Sequence, residues 1–172
     1  MNDTPVQQFL LARHPGYVDL TQDERQALND FCLLWPIFEG SILGDDYTGK
    51  DLLQVATTLN GMGLLKVDTL ATEIQHFHAR YFRDGDFTPL FDGLHVERTT
   101  KANEKVIRDF LLAGSHQPIE TALQGVLMIA LRYRNNTFHG AKALYGYRDQ
   151  LANFRAACAV LMFVLEHHPL RY

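Results

Sequence analysis

The residues best placed to do chemistry lie in the string Arg132-Tyr133-Arg134-Asn135-Asn136-Thr137-Phe138-His139-Gly140-Ala141-Lys142. Ile119, Leu123, Leu127, Leu131 and Phe138 recur at three-to-four spacing or its multiples, so they share one helical face. Arg134 falls in the same phase. A guanidinium aimed at an apolar face is costly unless it is paired or set at an interface or cleft. On an ideal helix Arg134 and His139 would stand roughly 140° apart. Gly140 is a natural stop, which puts His139 at or past the last turn, where its imidazole can swing toward Arg134. An imidazole near its ordinary pKa can take a proton from a ribose 2′-hydroxyl or give one to a leaving 5′-oxygen. An arginine offers a planar fork to the phosphate and stabilises charge added in the transition state. Asn135 is placed to orient either group or to touch the phosphate. The plainer alternative is that Arg134 only pairs with a buried acid and His139 only caps the helix. Spacing alone leaves both open.

The elements that must carry this string are helical. Pro118 suits the first turn of the helix that ends in the motif. Upstream, Thr21-Gln22-Asp23-Glu24 is a capping-box pattern. It is followed by Leu28, Phe31, Trp35, Phe38 and Ile42 at helical spacing, with Pro36 expected to kink or split that helix. Gly44 to Gly49 reads as a loop, and a short helix is predicted from Asp51 to Asn60, stopped by Gly61 and Gly63. Asp68 or Thr69 is expected to cap the next helix. Its stripe is Leu70, Ile74, Phe77 and Tyr81, and Asp84-Gly85 ends it. Residues 86–98 are not placed by pattern. A helix from about Thr100 to Ala113 stops at Gly114. After the motif, Ala141 to Arg148 reads as a connection. Asp149 is expected to cap a last helix that Pro169 ends. That helix is apolar nearly all round, which makes it a central helix or a dimer helix. No segment shows convincing strand alternation. The expected architecture is an all-α bundle of about five helices. It forms a single domain over residues 1–172, with 1–20 a partly ordered lead-in.

Composition narrows the function classes. Of 172 residues, 47% are hydrophobic and 21% charged, an ordinary globular balance, and the net charge is −4. Binding to nucleic acid through global charge needs a basic chain, so any such contact here must be local. Cys32 and Cys158 sit in apolar helical patterns and read as free thiols of a reducing compartment. The first residues lack the basic start and apolar run of a signal peptide, and the longest apolar run is too short to span a bilayer. The expectation is a soluble cytoplasmic protein. Gly44-Asp45-Asp46-Tyr47-Thr48-Gly49-Lys50-Asp51 approaches a phosphate-binding P-loop. However, Asp51 replaces the Ser/Thr that Mg²⁺ needs, and two more acids lie inside, so a surface turn is expected. His76 and His78 stand roughly 200° apart on a helix and cannot share a metal. No metal site and no cofactor are expected.

The wider string Arg134-Asn135-Asn136-Thr137-Phe138-His139, continuing Gly140-Ala141-Lys142 and then Arg148-Asp149, resembles the HEPN superfamily. These are all-α domains with an Arg-polar-x3-His signature late in the bundle. Trp35 with Phe38-Glu39 on the first long helix is similar to one bacterial branch. The resemblance is specific over about fifteen residues around the motif and is elsewhere only a helix pattern. It implies a metal-independent endoribonuclease, a toxin or phage-defence effector, acting as a homodimer whose two Arg/His pairs meet in one cleft. A cognate antitoxin or defence-system partner is implied with it. The catalytic residues would be Arg134, His139 and Asn135, with Lys142 and Arg132 as substrate-binding residues. Some members silenced by a nucleotidyltransferase partner carry a Tyr two residues after the His. Here that position is Ala141, with Tyr145 and Tyr147 nearby. Other members are inactive and serve as dimerisation or nucleotide- or partner-binding modules, which is the second reading. A helical interaction protein of unrelated origin is the third.

Overall fold

A computed structural model describes residues 3–114, 117–138 and 147–171. The chain is all-α, apart from one small hairpin among the described residues. Helices α1 (Pro5–Arg13) and α2 (Pro15–Val18) open it, so the expected lead-in is helical. Thr4 caps α1 with a capping box that composition alone did not suggest. α3 (Gln22–Phe38) starts at the expected Thr21–Glu24 capping box. Pro36 does not split it. Instead the helix runs on past Phe38 and widens into a π-helical turn, Glu39–Leu43, closed by the Gly44 amide on the Glu39 carbonyl. Pro36 removes one rung of the ladder, and the packed Phe31, Trp35 and Phe38 hold the axis together across it.

α4 (Gly49–Gly61) begins with a Thr48–Asp51 capping box, so the P-loop-like string is a turn followed by a capped helix. α5 (Ala71–Tyr81) starts after Leu70, which is left-handed at φ 54°; neither Asp68 nor Thr69 caps it. The Thr69 hydroxyl instead accepts from the Lys66 amide. Asp84 and Gly85, both at positive φ, form the turn of a two-stranded antiparallel hairpin, β1 (Phe82–Arg83) and β2 (Asp86–Phe87). These two-residue strands are too short to show alternation in the sequence. A short α6 (Pro89–Asp92) and a 3₁₀ turn at Val96–Arg98 fill the stretch that pattern left unplaced. Then come α7 (Lys101–Ala113), α8 (Ile119–Phe138) and α9 (Leu151–His167). Asp149 does not cap α9. It is left-handed at φ 59°, and its amide donates to Glu24 Oε1 at 2.8 Å.

α8 is the axis of the domain. α4 and α7 pack on its first half, α5 and α9 lie against it elsewhere, and α3 packs on α9. From Ala122 to Ala130 it is buried on nearly every side. At Gly125 a Cβ would come within 2.3 Å of Phe110, so only glycine lets α7 approach this closely. α9 buries Phe154, Ala157, Val160, Leu161 and Val164 against the rest of the domain, while Met162 on its other side is exposed. Phe31, Trp35, Phe77, Tyr133 and Phe154 form an aromatic core where these helices meet. The Tyr81 and Tyr133 hydroxyls hydrogen-bond to each other inside it. No helix among the described residues is long and apolar enough to cross a membrane.

Candidate functional site

The last turns of α8 divide four polar residues, Arg132 with Asn136 and Arg134 with Asn135, between two environments. Tyr133 faces the aromatic core and Arg132 turns inward beside it, 4% exposed. The Arg132 guanidinium donates to the Leu94 carbonyl at 3.0 Å and to Asn136 Oδ1 at 3.3 Å. Asn136, equally buried, returns its amide to the Gly93 and Leu94 carbonyls. Burial pulls the Arg132 pKa below its ordinary value, opposed by the Glu97 carboxylate. The sequence expectation of a substrate-binding Arg132 therefore falls on a side chain that ties α8 to the loop before the 3₁₀ turn.

Arg134 lies on the other side of Tyr133, at the edge of the domain. Its Nη2 stands 3.2 Å from Glu39 Oε1, with the two side chains 30% and 20% exposed. Its Nη1 donates to Asn135 Oδ1 at 3.2 Å. Glu39 reaches it because it follows the buried Trp35 by one helical turn, at the start of the π-helical segment. π turns inside helices gather at functional sites. Tyr47, from the loop between the π turn and α4, donates to the same Glu39 Oε1 at 2.5 Å. Burial first, and then the Glu39 carboxylate, push the Tyr47 hydroxyl up to about 12, so it remains a donor at neutral pH. The charge that appears misplaced on the apolar face of α8 is thus a half-buried guanidinium with an acid and an amide fixing two of its nitrogens.

His139 and Lys142 lie outside the described residues. Arg134 and Asn135 stand together on the last turn before them. The Tyr147 hydroxyl donates to the Thr137 carbonyl at 3.3 Å and returns the chain to α8 after the motif.

Other candidates are structural. His76 Nε2 lies 2.9 Å from Asn153 Oδ1 and joins α5 to α9, while the His78 ring packs on Phe82. Cys32 and Cys158 are free thiols with pKa values raised by burial, Cys158 to about 12. Among the described residues no three His, Cys, Asp or Glu side chains gather as metal ligands. A cleft of about 840 Å³ opens between the starts of α3 and α9 and the middle of α5. It is lined by acids (Asp19, Glu24, Glu73) as well as by Arg148 and Arg155. It lies at the Glu24 end of α3, roughly 22 Å along the helix from Glu39, and is not part of the Arg134 site.

Sequence reasoning singled out Arg134 by its phase on α8. It noted Glu39 only through the resemblance of the Trp35–Glu39 stretch, and it missed Tyr47 and Asn136. Glu39 carries a signal in being one turn beyond Trp35 on the same stripe. Tyr47 sits in a loop, and no periodicity marks it.

No protein-family model, no curated protein and no solved structure matches the chain.

Proposed function

We propose that this chain is a metal-independent endoribonuclease of HEPN type, a toxin or phage-defence effector that cleaves RNA by internal attack of a ribose 2′-hydroxyl. The observation that carries this reading is the Arg134 guanidinium, half-exposed and oriented by Glu39 and Asn135, on the helical turn that leads directly into His139. In this reaction the 2′-oxygen forms a bond to the adjacent phosphorus and the bond to the 5′-oxygen breaks. The products are a 2′,3′-cyclic phosphate and a 5′-hydroxyl. His139 serves as the general base or acid for the two proton transfers. Arg134 donates to a phosphate oxygen and stabilises the charge that builds on it. Asn135 holds Arg134, and Lys142 steers the RNA backbone.

The acting species in this reading is a homodimer that brings two such sites together. Leu33 and Ile37, one turn apart on α3, are 67% and 52% exposed. They end next to Glu39 and offer an apolar face for a second copy beside the site. A cognate antitoxin or defence protein would restrain the activity.

One observation favours a second reading, a non-catalytic HEPN-like dimerisation or binding module. Glu39 already supplies Arg134 with a countercharge, as a purely structural arginine would require. Incubating the purified protein with RNA and identifying the ends separates the two. Cyclic-phosphate ends that vanish in His139→Ala support the nuclease. Intact RNA under all conditions, with a stable dimer, supports the module.

A further inference from the structure

Helix α1 buries none of its nine residues. Helices shorter than about 12–15 residues are marginal in water by themselves and depend on a packed face. Locally, α1 has only the Thr4–Gln7 capping box and Pro5 in its first turn. Val6, Phe9 and Arg13 share one face at i, i+3 and i+7, with Val6 67% and Phe9 59% exposed. Residues 5–14 contain no acid, so this face is apolar and basic. The base of the arm is fixed. The Arg25 guanidinium donates to the Tyr17 carbonyl at 3.2 Å and stands 4.7 Å from the centre of the Tyr17 ring, which moors α2 on α3.

Beside that base opens the cleft of about 840 Å³ between α3, α5 and α9. Asp19 lines both this cleft and the recess between α1 and α2, yet no residue of α1 lines the cleft of its own chain. Leu151, Ala152 and Ala156 give the cleft an apolar wall. Asp19, Glu73 and Asp149 line it with carboxylates that have no ion-pair partner among the described residues. Its arginines are engaged elsewhere: Arg155 pairs with Asp23 at 3.0 Å, and the Arg148 charge acts on the Glu24 carboxylate. The occupant that suits this cleft is apolar with a basic end, which describes the outer face of α1.

We propose that two copies of this chain exchange their N-terminal arms, α1 of each lying in the α3–α5–α9 cleft of the other. Val6 and Phe9 then cover the apolar wall, and Arg13 meets the acids. The inference rests on the homodimer of the proposed function but not on its chemistry. A two-fold axis along α3 sets the Leu33 and Ile37 stripes face to face and the two α3 starts side by side, so each arm meets the other copy's cleft. Two nine-residue arms bury too little to hold a dimer alone, so they reinforce the α3 contact.

The test traps the contact between full chains. Phe9→Cys and Ala152→Cys are made in separate chains carrying tags of different size, then mixed and oxidised with diamide. Ala152 lines the cleft and is exposed, so its thiol is reachable. A covalent heterodimer is expected. It should be absent when the Phe9→Cys chain is mixed instead with Leu112→Cys, exposed on α7 and outside the cleft. Sedimentation equilibrium on Phe9→Ser should show a dimer dissociation constant raised at least about 10-fold, as loss of one buried aromatic per arm requires. Its melting temperature as a monomer should be unchanged, since α1 buries nothing within its own copy. A wild-type dimer that yields no heterodimer overturns the arm exchange and leaves the homodimer standing. Trapping without any loss of affinity in Phe9→Ser also overturns it, as a chance encounter. A chain carrying both cysteines that closes only on itself overturns it in favour of an arm folding back. If wild type is a monomer and nothing is trapped, the homodimer and the exchange fall together.

Discussion

Arg132 and Arg134 are two residues apart on one helix but stand in different surroundings, which makes a paired substitution informative. Arg132→Met keeps the buried alkyl stem and removes the guanidinium. Two hydrogen bonds from a charged donor are lost, to the Leu94 carbonyl and to Asn136 Oδ1, at a site 4% exposed. Bonds of this type contribute about 1.5–3 kcal/mol each, and the Asn136 amide still covers the Leu94 carbonyl. The lower end of the sum, about 3 kcal/mol, is therefore expected. For a domain of this size that lowers Tm by about 6–12 °C. Arg134→Met breaks an ion pair whose members are 30% and 20% exposed. At this partial burial the loss is expected to lie between that of an exposed pair and that of a fully buried one, about 1–3 kcal/mol, or about 2–12 °C. Cleavage should invert the order. Loss of a charge-stabilising donor lowers kcat by about 10²–10³-fold, so Arg134→Met should be stable and nearly inactive. Arg132→Met, assayed well below its Tm, should retain most of its activity. Differential scanning fluorimetry and RNA cleavage on the same preparations give both numbers. The reasoning is refuted if Arg134→Met unfolds as readily as Arg132→Met with activity tracking the folded fraction, or if folded Arg134→Met cleaves at the wild-type rate.

His139→Ala should lose about 10²–10⁴-fold in cleavage rate with its melting temperature unchanged; a folded variant at wild-type rate ends the catalytic role. Cleavage should persist in EDTA and leave 2′,3′-cyclic phosphate ends, whereas loss on chelation with rescue by Mg²⁺ rules out the Arg/His mechanism. Light scattering should report about twice 19.6 kDa, and Leu33→Glu with Ile37→Glu should return the monomer mass; a wild-type monomer that cleaves RNA sinks the shared-site arrangement. The Glu24 carboxyl is held below the ordinary carboxylate range chiefly by the Thr21 amide, with the Thr21 hydroxyl and the Asp149 amide adding to it. Its contribution to stability is therefore full above the unfolded-state value and fades as pH falls through the lowered folded value. The stability gap between wild type and Glu24→Gln should close across that acid window in urea melts, and a gap independent of pH contradicts the assignment.

Most of the fold was legible because its signals are local. The Thr21–Glu24 capping box, the Gly63 and Gly114 stops and the stripes of α3, α5 and α8 are local signals, where side-chain spacing and capping chemistry act without tertiary help. The errors fall where backbone conformation overrides side-chain preference. Leu70 takes a left-handed conformation at the N-cap of α5 in place of Asp68 or Thr69, and Asp149 is itself left-handed, which leaves Gln150 at the N-cap of α9. Asp84-Gly85 carries the strongest short hairpin signal there is. Read only as a helix stop, it concealed the strand pair beyond it.

The site was legible in half. A charge in the buried phase of α8 must have a partner, and that requirement picks out Arg134 from the sequence alone. Which acid answers it depends on which element crosses the end of α8, and helical periodicity does not encode that crossing. Glu39 is brought there by the turn at which α3 widens from α to π beyond Pro36, so its direction cannot be computed from a 3.6-residue period. Tyr47 follows from Glu39 in turn, as a loop residue whose place is set by the chain leaving that turn. The arginine is thus specified by its helix, the acid by an irregularity in another helix, and the tyrosine by the acid. A chain that kept the Arg134 string but lost the π turn would keep the motif and lose the orientation of its guanidinium. On the proposed nuclease reading, substitutions that free Glu39 from the π turn should therefore impair cleavage even with the Arg134 string intact.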